Sequence, residues 1–409
     1  MINMLKKAAS LSKTSLTNTS DKQFFYQLTG LREVAAVMVY IHHFNPFSAK
    51  LVGQNVSDFF NEFHIGVSIF FVLSGFLISH RYLNNFDFTK GGFILYFKKR
   101  IARIYPMYFL ISTVTLFYQY HIGLFKTKNL IEVGLLYFAN ITFIRGFFNK
   151  YLFTLVGQGW SLTVEECFYF TVPLVFWLYK KKKPLILYPI MFLGIGFLLV
   201  SVFKNLHFLG FFNSYPFMLQ YTFLGRCFEF FLGICLTLIL RKNSLVSTSW
   251  LPKFTMAGIL GVVSCLCVFV YLKQHSIYNY GVLHPLGQGI GNFILPIFIT
   301  MFIGGLIIEK SFICSFLKTN TMVLLGKSSY TFYLIHTGVF RDVFQLILVN
   351  TLFKHTNLNT DLYKILLNAI LFGLLTLLSI LFFKIIEEPL NKLIINIGKK
   401  KVIKLDYEK

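Results

Sequence analysis

The feature that most constrains this chain is a recurrence of apolar runs long enough to cross a bilayer. A spanning helix needs about 20 mostly apolar residues. Runs of that kind begin near Leu31, Ile65, Ile104, Val164, Pro184, Tyr221, Phe254, Ile290, Ser328 and Ile365. They fill most of the 409 residues and leave no room for a large soluble domain. Composition agrees: only 13% of residues are charged, against roughly 25% in soluble domains. The expected fold is an all-α integral membrane bundle of about ten transmembrane helices. It runs over residues 28–390, between an N-terminal tail (1–27) and a basic C-terminal tail (391–409). The first tail has Lys6, Lys7 and Lys13 but no continuous apolar core, so it does not read as a cleavable signal peptide.

Charge sets the orientation. A formal net charge of +23 would suggest nucleic acid in a soluble protein. Here the basic residues cluster between spans, where they set topology and meet anionic headgroups. The partners expected on this ground are membrane lipids and not nucleic acid. With ten spans and both termini in the cytoplasm, the blocks Lys98/Lys99/Arg100/Arg103 and Lys180–Lys183, and the basic C-terminal end, all fall inside. An eleventh apolar stretch, Ile131 to Phe148, contains Asn140, Arg145 and Gly146. Counting it as a span would send Lys180–Lys183 outside, so it reads as an outer segment, re-entrant only if protein covers it.

Ionisable residues within spans are costly and point to function. Arg32 and His43 on the first helix are 11 residues apart. That is about 1100° of rotation, about 20° beyond three turns, so both lie on one face with about 16 Å of rise between them. Arg32 either snorkels to the inner headgroups or belongs to a site with His43. Arg100 and Arg103 share a face at the inner mouth of the third span. They are topology charges or, with Arg32 at the same level, a guanidinium fork for phosphates. Glu165 and Glu166 follow Trp160 and Ser161 at the outer start of the fourth span, where two adjacent carboxylates cannot both avoid the bilayer interior. Arg226 and Glu229 read as an intramembrane ion pair, and Ser68, Ser74 and Gly75 as small residues for close packing. His64 and Asp58 fall in an outer loop and His336 within a span, with Arg341 and Asp342 placed further along the same helix. Pro389 is expected to stop the last helix. No residues cluster as metal ligands, and the six Cys read as small apolar residues.

In order, Leu28-Thr-Gly-Leu-Arg32 with His43, Phe70-Phe-Val-Leu-Ser-Gly-Phe-Leu77, Arg100-Ile-Ala-Arg103 and Trp160-Ser-Leu-Thr-Val-Glu-Glu166 resemble the signatures of the acyltransferase-3 family of bacterial membrane acyltransferases. Ser329-Tyr330 with His336, and Glu388-Pro389, are weaker matches, and Glu33 stands where Gly is commoner. The resemblance covers residues 28–390. It implies a ten-span O-acyltransferase of the bacterial inner membrane that takes an acyl group, acetyl by preference, from cytoplasmic acyl-CoA. No cofactor is permanently bound. The acceptor implied is a cell-surface glycan or its lipid-linked precursor, such as lipopolysaccharide O-antigen or exopolysaccharide. Some family members carry an added SGNH hydrolase-like domain, and none is expected here.

Combined with topology, the resemblance assigns Arg32, Arg100 and Arg103 to the donor phosphates. His43 and Glu165 become the catalytic residues, and Trp160, Ser161 and Glu166 the acceptor contacts. His43 is then a general base, or the carrier of a covalent acyl group. A transporter or polymerase of lipid-linked glycans is the alternative; it should show repeat symmetry, and the sequence has none.

Overall fold

The structure is a computed structural model that describes residues 24–206, 208–242, 253–354 and 360–397. Most of both expected tails therefore lies outside the described residues. No strand occurs among the described residues, and one isolated bridge joins Phe148 to Phe211. Seven helical stretches are long and apolar enough to cross a membrane: Gln54–Tyr82, Lys90–His121, Gly157–Lys180, Tyr215–Lys242, Lys253–Gln274, Pro285–Ile308 and Thr360–Asn396. An eighth arises if Asn320–Ile335 and Val339–Thr351, bent by 83° at their junction, count as one span. The outward faces are apolar: Phe117, Phe170, Leu198 and Leu377 are 63–67% exposed. Arg145, Arg226, Glu229 and His336 are buried. Apolar outside and polar inside is the arrangement lipid requires, because unpaired polar groups find no partner there.

Numbering the longer helices in chain order, α1 is Tyr26–His43, α2 Gln54–Asn61, α3 Gly66–Tyr82, α4 Lys90–His121, α5 Leu130–Ile141 and α6 Trp160–Lys180. Next come α7 (Leu187–Phe203), α8 (Phe223–Lys242), α9 (Lys253–Gln274), α10 (Leu295–Ile308), α11 (Asn320–Ile335), α12 (Val339–Thr351), α13 (Thr360–Phe382) and α14 (Glu388–Asn396). The eleventh stretch holds the 12-residue α5 and, after it, a 3₁₀ turn over Ile144–Phe147. At 1.5 Å per residue α5 is about 18 Å long, too short for a core of about 30 Å.

Three local expectations are corrected. Pro389 does not end the last helix: the chain passes through a π-helical turn, Phe383–Glu387, and continues as α14. The wider turn accommodates the proline, which lacks the N–H and crowds the carbonyl four residues back. Arg341 and Asp342 are not on the helix of His336, because the chain turns at Gly338 (φ 77°) into α12. Glu165 and Glu166 are not in a first turn, since α6 starts at Trp160 after a 3₁₀ turn over Gly157–Gly159.

At the centre, α3 and α8 pack backbone to backbone. A Cβ on Gly75 would meet the Phe230 carbonyl oxygen at 2.1 Å, and one on Gly233 the Val72 oxygen at 2.3 Å. The approach lets Ser79 Oγ and Thr237 Oγ1 hydrogen-bond across the pair at 2.6 Å. It also brings Arg226 of α8 to Ser68 of α3 at 3.0 Å. Small residues at such crossings replace the hydrophobic drive that lipid removes. Gly233→Leu is expected to separate the two helices and abolish a monodisperse peak in size-exclusion chromatography of detergent-extracted protein.

Candidate active site

Three cavities follow one another through the bundle, and each shares lining residues with the next. The first lies where α1 begins and α3 ends, and Arg32, Arg81, Arg100 and Arg103 line it with His80 and Tyr82. Arg32, Leu77 and Arg103 also line the second, with Ser74, Ser161, Glu165, Tyr330 and Tyr333. Val67 and Tyr333 carry the lining on into the third, which holds His42, His43, His64, Trp160, Tyr221, Arg226 and Tyr280. The helical phase of α1 explains the sequence, because its Arg32 and His43 lie on one face at opposite ends of the path.

The arginine end is electrostatically unusual. Arg32 and Arg103 make no carboxylate salt bridge among the described residues. Arg100 is buried with its guanidinium 5.9 Å from the rings of Tyr82 and Tyr96 and 5.5 Å from that of Tyr169, and its Nε has no hydrogen-bond partner. Aromatic faces stabilise a guanidinium without neutralising it. The end therefore holds positive charge available to an anion. Glu165 lines the middle cavity, accepting hydrogen bonds from Ser74 Oγ and Tyr169 Oη, both at 2.5 Å. Ser161 Oγ is 2.8 Å from Tyr333 Oη. Glu166 lines none of the three cavities.

At the other end His43 has three rings beside it: His42 at 4.9 Å between centroids, His336 at 5.3 Å and Phe44 at 6.2 Å. Glu165 belongs to the cavity before. His42 Nδ1 lies 2.5 Å from the Asn61 carbonyl oxygen. Trp160 meets Tyr221 edge-on, 5.1 Å between centroids. Arg226 is clasped by Glu229 in a bidentate pair, Nε and Nη2 each at 2.9 Å, as the spacing of the two residues in sequence implied.

The segment leading into Trp160 hangs on Arg145, which is fully buried. It donates to Asn140 Oδ1 at 2.6 Å, to the Val156 carbonyl at 2.8 Å and to the Leu152 carbonyl. Burial pushes its pKa down from the ordinary arginine value. From there Gln158 ties the segment to α11 through the carbonyls of Tyr333 and Leu334, at 2.8 and 2.7 Å.

Tyr333, Tyr280 and Gln158 line the cavities without having been singled out in the sequence. Tyr333 lies between Tyr330 and His336, three residues from each, in a legible stripe of polar groups in an apolar run. Tyr280 and Gln158 come from irregular segments with no such signal. His64 faces the His42 ring at 5.4 Å, within the cavity and not in a solvated loop. Near the last span the inward partner is the half-buried Glu387, which accepts from Thr331 Oγ1 at 2.6 Å, while Glu388 pairs on the surface with Lys392.

Fold and cavities together define a multi-pass membrane protein with a cationic mouth connected to a histidine-rich chamber. Comparison with known proteins gives the family: the acyltransferase-3 family, described as "Acyltransferase domain", matches residues 25–386. The chain belongs to that family. O-acetyltransferase OatA of Staphylococcus aureus strain NCTC 8325 / PS 47 is 26% identical over 389 residues, 89% of this chain and 57% of that protein. A second S. aureus protein, from strain COL and provisionally named an O-acetyltransferase, is 25% identical over 346 residues, 80% of this chain and 53% of its own. The chain thus spans just over half the length of these curated relatives. No solved structure matches.

Arg145→Ala strips several buried carbonyl acceptors of their donor, each worth about 1–3 kcal/mol. Thermal melts of the detergent-extracted protein should fall by several degrees. Arg145→Lys should restore little of this, because a point ammonium cannot reproduce the planar fork.

Proposed function

We propose that this protein is a membrane O-acyltransferase moving an acyl group, acetyl by preference, from cytoplasmic acyl-CoA to a hydroxyl of a cell-surface glycan. The observation that carries the reading is the series of three neighbouring cavities, with shared lining residues, from the arginines to His43. Family membership and the O-acetyltransferase names of the relatives support the reaction class. The topology proposed is ten spans in the bacterial cytoplasmic membrane with both termini inside. The seven long stretches and the bent α11/α12 pair are then joined by α1 and α7, of 18 and 17 residues, near the lower limit for a span.

In this topology the arginine cavity opens to the cytoplasm, where acyl-CoA is found. Arg32, Arg100 and Arg103 hold the nucleotide phosphates through charge-assisted hydrogen bonds. The pantetheine arm follows the middle cavity past Glu165, whose carboxylate Ser74 and Tyr169 keep turned into the path. Ser161 and Tyr333 stand where that cavity gives way to the histidine chamber. There His43 removes the proton from the attacking hydroxyl, the new C–O bond forms at the thioester carbon, and the C–S bond breaks. Trp160 and Tyr221 offer aromatic faces for a sugar ring. Glu166 acts on the acceptor only if it turns into the chamber. Lipopolysaccharide O-antigen and exopolysaccharide are the acceptors proposed first.

The reading is tested by mass spectrometry of surface polysaccharide and wall glycan from cells with the gene deleted, restored, or restored as His43→Ala. The expected result is an acetyl-mass increment that only the intact gene restores. Glycan unchanged in mass but missing from the surface would replace transfer with export. In membranes supplied with acetyl-CoA, Arg32→Ala and Arg103→Ala should raise the KM for donor by about tenfold or more, the worth of one charge-assisted hydrogen bond. An unchanged KM would remove the phosphates from this end.

A further inference from the structure

We infer that His336 is a positioning residue for His43, acting as the hydrogen-bond acceptor that fixes which nitrogen of His43 is free to take a proton. The inference rests on the proposed role of His43 as base.

His336 ends α11 and is fully buried. Its Nδ1 lies 2.8 Å from the Tyr333 carbonyl oxygen. A carbonyl oxygen only accepts, so the proton of the neutral ring is on Nδ1, and Nε2 carries a lone pair. That Nε2 is buried and has no hydrogen-bond partner. A buried polar atom left unpaired costs about 1–3 kcal/mol and calls for an explanation. The ring beside it is His43, 5.3 Å away between centroids and tilted by 35°. The other neighbours are Tyr40, whose hydroxyl is already donated to the Asn368 carbonyl at 2.9 Å, and the rings of its own helix, Phe332 and Tyr333. Tyr333 Oη is engaged with Ser161. Arg341 also stands near and its Nε has no partner, but its guanidinium lies 3.6 Å over the Phe44 ring with Nη1 and Nη2 bonded to Gln345 and Asn368. The donor that matches the orphaned acceptor is then a ring N–H of His43, the ring that stands against it.

The consequence is a defined tautomer. With one nitrogen donating to His336, the other nitrogen of His43 presents its lone pair to the chamber that holds Trp160 and Tyr221. When the acceptor hydroxyl gives up its proton to that nitrogen, His43 becomes an imidazolium and its bond to His336 strengthens. The proton passes on to the departing thiolate sulfur, and His336 ends the cycle unchanged. It serves as a neutral counterpart of the carboxylate that orients a histidine in many hydrolases. A neutral partner suits a site where a further buried charge would be costly.

The test compares full-length protein in membranes, supplied with labelled acetyl-CoA, by incorporation into endogenous glycan. His336→Phe keeps the ring volume and removes the acceptor, whereas His336→Gln can still offer an oxygen at the Nε2 position. The expected result is a fall in kcat of about a hundredfold for His336→Phe. KM for acetyl-CoA and the amount of extractable protein should not change, and His336→Gln should recover activity to within about tenfold of wild type. Equal losses in both variants that track a loss of folded protein would make His336 a packing residue and overturn the inference. Full activity of His336→Phe beside an inactive His43→Ala would overturn it while leaving the base intact. Activity in His43→Ala would overturn both.

Discussion

Arg226, Glu229 and Ser68 form a clasp in which two charges and a hydroxyl are buried between α3 and α8. The constraint behind it governs the whole molecule: in lipid, polar groups must find their partners inside the bundle. The clasp meets that demand for the most buried ion pair among the described residues, and the glycine contacts between the same helices make its geometry possible. Breaking one partner of such a buried pair costs about 3–5 kcal/mol. The crossing therefore fixes where α3 stands, and α3 forms a wall of the cavities that follow.

Within that frame the interior divides into parts of different chemistry. The arginine mouth gathers several guanidiniums with no direct salt bridge to a carboxylate among the described residues, Arg100 being held by aromatic faces. The histidine chamber differs, with several imidazole rings, one paired cation and histidine nitrogens set against backbone carbonyls. A polar path between them, lined by Ser74, Glu165, Ser161 and Tyr333, suits an extended ligand with an anionic head and a reactive tail better than a small solute. The segment hung on Arg145 reaches the chamber wall through Phe153, Gln158 and Trp160, with the guanidinium bonding its carbonyls.

How much of this could be read beforehand follows from the range of each interaction. That Arg32 and His43 share a helix face is legible from helical phase alone, because both sit on one rigid element, whereas the separate cavities they line are not. Arg226 with Glu229, and Arg100 with Arg103, were likewise within one turn. Glu165 was assigned near His43 on motif order, yet it lines the middle cavity with Ser74 and Tyr169, since its direction depends on helices distant in sequence. Pro389 misled as a helix stop because a π-turn before it absorbs the strain, a tertiary choice that no local preference announces.

The sequence by itself determined that the chain is a helical membrane protein, which residues lie on the polar faces of its helices, and the family whose signatures it carries. These follow from composition, from a 3.6-residue period and from short motifs, all properties of neighbouring residues. Only the tertiary structure decided that the arginines share one cavity, that His64, Tyr280 and His336 join His43, and that α11 bends away at Gly338. Those facts depend on packing between segments up to some 300 residues apart, as in Tyr40 and Asn368, and the free energy of such contacts is not written in any local stretch of chain.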